Sequence, residues 1–100
     1  MTRLETLSIR HDAAARRFVA DVGGHEAVLD YRVLEDKILD YRRTFVPPAS
    51  RGRGIAGRLT KHALEYAREN GFRVVPSCTF VERYMGAHPE YESLRATRGA

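Results

Sequence analysis

A glycine-rich segment preceded by two prolines constrains the fold of this chain most. Residues 51–57 read Arg-Gly-Arg-Gly-Ile-Ala-Gly, and Pro47-Pro48 stand just before them. The prolines lack backbone N–H donors, so a strand that reaches them must stop pairing there. Apolar residues at helical spacing follow the glycines. The segment therefore predicts a strand, a tight loop and a helix in immediate succession.

The helix is predicted to run from Ile55 to Asn70, with Gly71 placed to end it. Its apolar face is expected to carry Ile55, Leu59, Ala63, Tyr66 and Ala67. Residues 72–75 then have the composition of a short strand, which Pro76 ends. Because a helix separates this strand from the preceding one, the two strands are expected to be parallel, joined by a right-handed crossover.

Three antiparallel strands are predicted ahead of the loop, at residues 16–22, 25–34 and 38–46. Gly23-Gly24 is a two-residue hairpin signal because glycine accepts positive φ, and Glu35-Asp36-Lys37 is a short polar break. A weaker helix is expected from Thr79 to about Ala87. The chain before the loop is therefore expected to form an antiparallel meander.

The register of the meander can be predicted from charge and shape. In the first hairpin the expected pairs are Phe18–Leu29 and Ala20–Ala27. In the second hairpin they are Arg32–Asp40, Asp30–Arg42, Tyr31–Tyr41 and Val33–Leu39, with Leu34 and Ile38 closing a three-residue loop. A slip by one residue would forfeit cross-strand interactions of roughly 0.2 to 1 kcal/mol each. The first hairpin also sets Asp21 opposite Glu26, a like-charge pair that the sequence does not explain.

These elements predict a mixed α+β fold, with an antiparallel meander, a crossover helix and a parallel last strand. At 100 residues the chain is expected to be a single domain, with its core at about 16–92 and a frayed tail from Arg95 to Ala100. Pro47-Pro48 follow one central strand and Pro76 follows the other, and we expect them to lie at about the same depth in the sheet. The strands are therefore expected to splay apart and open a V-shaped cleft.

Composition narrows the function classes. The chain carries a net charge of +4 and one cysteine, Cys78, which cannot form an internal disulfide. The segment Met1–Glu5 lacks the apolar core of a signal peptide, and no run approaches the roughly 18 apolar residues of a membrane helix. We therefore expect a cytoplasmic protein without a membrane partner. The clustered bases at Arg42-Arg43 and Arg51–Arg53 favour a local anion site over a nucleic-acid surface.

Residues 52–57 also match the dinucleotide pattern G-x-G-x-x-G literally. That class needs an acidic residue about 20 positions further on to hold the ribose, and Phe72–Cys78 contains none. The nucleoside-triphosphate loop is excluded because Gly57 is followed by Arg58-Leu59 instead of Lys and Ser or Thr. A flexible turn without a ligand remains an alternative on the local pattern alone.

The pattern (Q/R)-x-x-G-x-(G/A) is met by Arg51, Gly54 and Ala56, and Pro76-Ser77-Cys78 and His88-Pro89-Glu90-Tyr91 follow in order. Together these motifs resemble the small single-domain branch of the GNAT superfamily of N-acetyltransferases over roughly residues 16–92. The resemblance implies acetyl-CoA as cosubstrate. It implies that the pyrophosphate is held by the backbone amides of Arg51, Gly52, Arg53, Gly54, Ile55 and Ala56, and that the pantetheine lies along Phe45 and Val46. Unpaired amides at a helix start favour phosphate on physical grounds as well.

The resemblance further implies that Tyr84, on the second helix, donates a proton to the departing thiolate. Met85 would take that position if the segment shifted by one residue. The glutamate base of many family members has no equivalent between Lys37 and Val46. Glu82, His88 and a water chain stay open as proton acceptors.

Cys78 follows Pro76, where the last strand gives way to the second helix. Three roles stay open for its thiol: an acetyl carrier in a two-step route, a neighbour of the thioester during direct transfer, and a buried structural group. The imidazoles of His11, His25 and His62 show no metal-ligand spacing, so no metal is predicted.

The function predicted from the sequence is acetyl transfer from acetyl-CoA to an amine of unknown identity, in a monomer or weak dimer. An open cleft suits a protein or peptide amine. The alternative is a non-catalytic module that binds CoA, or an acidic partner such as RNA, through the same basic glycine loop.

Overall fold

Five strands form one sheet in the order in which they occur along the chain. The computed structural model describes residues 7–35 and 37–96. Its strands are β1 (Ser8–Asp12), β2 (Arg17–Val22), β3 (His25–Val33), β4 (Ile38–Phe45) and β5 (Arg73–Pro76). Its helices are α1 (Ile55–Glu69) and α2 (Thr79–Ala87), and short 3-10 helices span Pro48–Ser50 and Pro89–Leu94. The predicted α+β fold, with an antiparallel meander and a parallel last strand, is confirmed.

The first hairpin follows the predicted register. Gly23 and Gly24 have φ of 56° and 90°, the left-handed conformations that a two-residue turn of this kind requires. Phe18 pairs with Leu29 and Ala20 with Ala27, as predicted. These apolar pairs lie in the core, so the register of β2 and β3 is fixed by burial of one face.

Strand β1 was not predicted, because its sequence Ser-Ile-Arg-His-Asp alternates weakly and carries three polar or charged side chains besides Ser. It pairs antiparallel with β2 and explains the like-charge pair of the first hairpin. Arg10 of β1 donates to Asp21 at 2.9 Å and to Glu26 at 3.1 Å. One guanidinium therefore bridges both carboxylates and offsets part of their mutual repulsion.

The second hairpin contains a β-bulge. Tyr31–Tyr41, Arg32–Asp40 and Val33–Leu39 pair as predicted, but the register shifts between Asp30 and Tyr31. The predicted Asp30–Arg42 pair is wrong: Asp30 lies opposite Arg43, whose Nη1 donates to its carboxylate at 3.0 Å. Arg42 is the extra residue on β4, and such a residue bends a strand locally.

The core lies between one face of the sheet and the two helices. Ile55, Leu59, Ala63 and Ala67 of α1 are buried there, as the periodicity predicted, whereas Tyr66 is half-buried. Tyr41 of β4 is fully buried, and its hydroxyl donates to the carbonyl oxygen of Ala63 at 2.6 Å. Burial raises the pKa of Tyr41 far above its usual value, so this phenol is neutral. Gly71 ends α1 with φ of 75°, as predicted.

The parallel pairing of β4 with β5 spans Ile38–Tyr41, and β4 continues to Phe45. Pro76 lies opposite Tyr41. Pro47 follows Tyr41 by six positions. The expectation that prolines end both central strands at the same depth is therefore wrong. Pro76 therefore stands where the pairing of the central strands ends, and it removes a ladder donor there.

The chain makes ordered contacts beyond the predicted end of the core at about residue 92. Arg95 donates to Glu82 at 2.6 Å and to Glu92 at 2.7 Å, and the backbone N–H of Ala96 donates to the carbonyl of Val74 at 2.7 Å. The predicted fraying is therefore wrong for Arg95 and Ala96. The rest of that predicted tail, residues 97–100, and the Met1–Glu5 segment lie outside the described residues, as does Asp36 of the predicted polar break.

Candidate functional site

The loop between β4 and α1 is shaped by two glycines. After the 3-10 turn at Pro48–Ser50, Gly52 and Gly54 have φ of 83° and 74°, a conformation that other residues adopt at a cost. A side-chain carbon built on either glycine meets no heavy atom of the described chain within 4 Å. The glycines are therefore required for backbone conformation, and they leave open space beside the loop.

The N-terminus of α1 carries free hydrogen-bond donors. Gly54 is the N-cap residue, and in this described part of the chain neither a side-chain cap nor an acidic residue is present in the first turn. The first amides of an α-helix have no intrahelical acceptor, and the helix dipole makes that end positive. This helix start is therefore suited to an anion such as a phosphate.

A pocket of about 230 Å³ opens beside this loop. Its lining includes six of the eight residues predicted to bind a cofactor: Val46, Arg51, Gly52, Gly54, Ile55 and Ala56. Ser50, Gly57 and Phe80 also line it and were missed. Gly57 could have been found as the third glycine of the motif. Phe80 comes from α2, and its approach depends on how that helix packs.

Phe45 and Arg53 are not among the residues that line the pocket. Phe45 is nonetheless close to the loop: the guanidinium carbon of Arg51 lies 5.9 Å from its ring centroid, and that of Arg43 lies 5.7 Å away. The Nε of Arg51 donates to the carbonyl of Val46 at 2.8 Å. Arg51 therefore ties the loop back to the end of β4, and both Arg51 and Arg53 are exposed.

Cys78 lies where β4 and β5 separate. It is the N-cap residue of α2 and is 7% exposed. Its backbone N–H donates to the carbonyl of Tyr41 at 2.9 Å, and its sulfur lies 3.5 Å from the hydroxyl oxygen of Thr44. Thr44 was missed because its helix-facing position depends on the bulge. The cysteine thus contacts the part of β4 that β5 no longer covers.

Tyr84 is half-buried on α2, beside the start of α1. A side-chain carbon on Gly57 would lie 3.8 Å from its ring. Burial, and to a lesser degree the charges of Glu90 and Glu65, raise the pKa of Tyr84 above its usual value. The phenol therefore keeps its proton at neutral pH. Met85, the alternative position, is fully buried in the core.

The two side chains considered as proton acceptors differ in their partners. The carboxylate of Glu82 accepts a hydrogen bond from Arg95 at 2.6 Å. The ring of His88 stacks on Tyr84 with centroids 3.8 Å apart, and its Nδ1 lies 2.8 Å from the carbonyl oxygen of Tyr84. Since a carbonyl can only accept, Nδ1 carries a proton and Nε2 is the basic nitrogen of the neutral ring.

The motif His88-Pro89-Glu90-Tyr91 connects the end of the chain to α1. The hydroxyl of Tyr91 donates to Glu65 at 2.6 Å, and Tyr91 is buried. Burial and the neighbouring carboxylate raise the pKa of Tyr91.

Among the described residues, no group of three or more His, Cys, Asp or Glu could hold a metal ion. Neither described helix is long and apolar enough to cross a membrane.

The order of strands and helices, with the glycine loop between β4 and α1, is that of an acetyltransferase-like domain. The family model for GCN5-related N-acetyl-transferase matches residues 17–94, and the chain belongs to this family. Protein NATD1 of Gallus gallus is 35% identical over 85 residues, which cover 83% of this chain and 77% of the relative. Protein NATD1 of Homo sapiens is 35% identical, with 83% of this chain and 75% of the relative covered.

A solved structure shares the fold. The NMR solution structure of a GCN5-like protein from Staphylococcus aureus matches with a TM-score of 0.70 and 22% sequence identity. The match covers 99% of this chain and 96% of that chain. The five-stranded sheet and its two helices therefore form the fold of the GCN5-related family.

Proposed function

We propose that the protein transfers acetyl from acetyl-CoA to an amine in the cleft between β4 and β5. The observation that carries this proposal is the separation of these strands at Tyr41 and Pro76, between the glycine loop and Cys78. A cleft bounded by exposed backbone and a helix N-terminus suits a long ligand with a phosphate at one end. Membership of the GCN5-related N-acetyltransferase family supports the same reaction class.

In this proposal the loop residues Arg51 to Ala56 bind the pyrophosphate through their backbone amides. Support comes from the absence, within the described chain, of a cap or acid at the α1 N-terminus and from the open space beside Gly52 and Gly54. The exposed side chain of Arg53 adds positive charge. Phe45 and Val46, at the end of β4, would lie along the pantetheine, with Phe80 covering the pocket from α2.

For the chemical step we propose direct attack of a neutral amine on the thioester carbonyl. Tyr84 then donates its proton to the departing thiolate, and its raised pKa supports this role. The carboxylate of Glu82 is engaged by Arg95, which leaves Nε2 of His88 and solvent water as the proton acceptors to test.

Cys78 has a second proposed route beside direct transfer. Its thiolate would attack the thioester carbon, CoA would leave as thiolate, and the amine would then take the acetyl group from sulfur. Because Cys78 is 7% exposed and next to Thr44, we favour direct transfer past a cysteine that packs beside the thioester.

We also propose a cytoplasmic location, since the thiol is free.

Ligand-induced stabilisation tests the function. Acetyl-CoA, CoA and a generic oligonucleotide are titrated separately while thermal unfolding is followed. A ligand at 100 times its dissociation constant adds about 2.7 kcal/mol to stability. We expect acetyl-CoA and CoA to raise the melting temperature. Stabilisation by the oligonucleotide alone would contradict the proposal and favour a non-catalytic module that binds an acidic partner through the basic loop.

A further inference from the structure

A second pocket, of about 480 Å³, lies on the face of the sheet opposite the two helices. Its charged lining consists of Arg16, Arg17, Arg32, Arg42, Arg43 and Asp30. Arg17 and Arg32 alternate along their strands with Phe18 and Tyr31, which are buried in the core under α1. Since successive side chains of a strand point to opposite faces, the arginines lie on the far side of the sheet.

The charge of this basic pocket is uneven. Five arginines against one aspartate leave a surplus of four positive charges, as large as the net charge of +4 of the entire chain. Asp30 accepts from Arg17 and Arg43 at 3.0 Å each. Arg16, Arg32 and Arg42 have no carboxylate partner within residues 7–35 and 37–96. Three guanidinium groups are therefore available to an external anion.

The basic pocket extends across β2 and β3 as far as β4, the strand that borders the proposed reaction cleft. Arg42 and Arg43 stand on β4 between Tyr41, whose carbonyl accepts from Cys78, and Thr44, whose hydroxyl contacts the cysteine sulfur. This is the stretch of β4 beyond its pairing with β5. A chain held on the arginines can therefore reach the cleft through the gap between the two strands.

We propose that the acceptor is an acidic peptide segment, bound in the basic pocket, whose amine enters the cleft through this gap. The inference rests on the proposed acetyl transfer. A surplus of positive charge repels a free alkylammonium metabolite, so the acceptor must carry negative groups beside its amine. Guanidinium groups also bind carboxylates in pairs of parallel hydrogen bonds. Nearby positive charge favours the neutral amine, the form that attacks.

RNA fits the same surface less well. Asp30 sits among the arginines and repels a continuous run of phosphates, and it is held in place by two of them. A peptide, in contrast, can place its carboxylates on Arg16, Arg32 and Arg42 and supply an aliphatic amine for the transfer. The charge arrangement therefore selects a peptide over a nucleic acid.

The test compares two peptides with the same lysine, one flanked by Asp and Glu and the other by Asn and Gln. Acetylation is measured with acetyl-CoA, and binding is measured separately by fluorescence anisotropy. The variant is Arg32→Gln/Arg42→Gln, whose side chains are exposed. Its matched control is Lys61→Gln/Arg73→Gln, which removes two positive charges elsewhere. We expect the acidic peptide to be favoured in kcat/KM by about tenfold, through KM, and the variant alone to lose that preference.

Equal binding of the two peptides by a protein that still acetylates them would overturn the inference and leave the proposed function standing. Binding of the acidic peptide that depends on Arg32 and Arg42, without any acetyl transfer, would support the pocket and contradict the function. Tighter binding of a single-stranded oligonucleotide than of the acidic peptide, again dependent on these arginines, would overturn the inference in favour of nucleic acid.

Discussion

The hydroxyl oxygen of Thr44 lies 3.5 Å from the sulfur of Cys78, across the line where β4 and β5 part. This contact joins the part of β4 that does not pair with β5 to the N-cap residue of α2. Cys78 is 7% exposed and belongs to the core cluster, although the strand beside it has ended. A thiol held in this way can neighbour the thioester without reacting with it.

We predict that Cys78→Ala retains most of the acetyltransferase turnover. Direct transfer does not use the sulfur as an acetyl carrier, so the variant loses a packing contact and about 1 kcal/mol of stability. Intact mass measurement of the wild type after incubation with acetyl-CoA alone should show no added acetyl group. An added acetyl group that disappears in Cys78→Ala, together with lost turnover, would establish the two-step route instead.

Gly54→Val should abolish CoA binding while the domain stays folded. Gly54 has φ of 74°, and the added side chain would enter the space beside the loop. Strain alone costs about 1 to 2 kcal/mol, so Gly71→Val is the matched control, because Gly71 has φ of 75° and equally open surroundings. Calorimetric titration should show lost CoA affinity for the Gly54 variant and not for the control. Equal affinity in both variants would remove the loop from the site.

Arg51→Ala and Arg53→Ala should both weaken CoA binding, and the loss should shrink as salt is added because the phosphate charges are screened. We expect the larger effect from Arg51→Ala, since Arg51 also holds the loop to the carbonyl of Val46. Titrations at low and high ionic strength measure both effects. A salt-independent loss in Arg53→Ala would contradict a contribution of charge to CoA binding.

Tyr84→Phe should lower kcat by roughly 100-fold with little change in KM, because the proton donor is removed and the ring is kept. The raised pKa of Tyr84 predicts that wild-type activity stays insensitive to its ionisation below about pH 10. Tyr91→Phe is the control. It breaks the hydrogen bond to Glu65 and should cost about 1 kcal/mol of stability without lowering kcat. Full activity in Tyr84→Phe would exclude the phenol as the donor.

His11 should make stability depend on pH. Its Nε2 lies 2.6 Å from the Tyr31 hydroxyl, its ring stacks on Phe18 at 4.3 Å, and burial followed by the charge of His62 lowers its pKa. A lowered pKa means that the unfolded state binds the proton more readily, so this contribution is complete above about pH 6.5 and is lost as pH falls below it. Urea unfolding from pH 5 to 8 should show the decline in wild type and a smaller one in His11→Phe. Parallel curves would contradict this assignment.

Much of the fold could be predicted from the sequence because burial repeats with the period of each element. The pairs Phe18–Leu29 and Tyr31–Tyr41 follow from such patterns. Strand β1 could not be predicted, since its side-chain partners lie elsewhere in the sheet: Arg10 bonds two carboxylates of the next hairpin, and the ring of His11 stacks on Phe18. The bulge at Arg42 was also hidden, because Arg42, Arg43 and Thr44 are all polar and do not mark where the alternation of faces shifts.

The candidate site divides in the same way. The glycine loop is a continuous segment, so its spacing could be recognised before the structure was known. Thr44 and Phe80 join the site through tertiary packing, and no local pattern marks them. Asp40 is a further case: it is 4% exposed on β4, and its Oδ1 has no hydrogen-bond partner in the described part of the chain. The sequence predicted Asp40 as the cross-strand neighbour of Arg32. The two residues do pair in register, but this oxygen accepts no hydrogen bond from the arginine.

The strand order has a kinetic consequence. Strands β1 to β4 are neighbours in sequence and can pair by closing short turns, whereas β5 reaches β4 after the 27 residues from 46 to 72. Closing a longer loop costs more entropy before its contacts repay it, so we expect the meander to fold first and the β4–β5 pairing last. A ligand that bridges these two strands would then act after the folding barrier. It would slow unfolding and leave the folding rate almost unchanged.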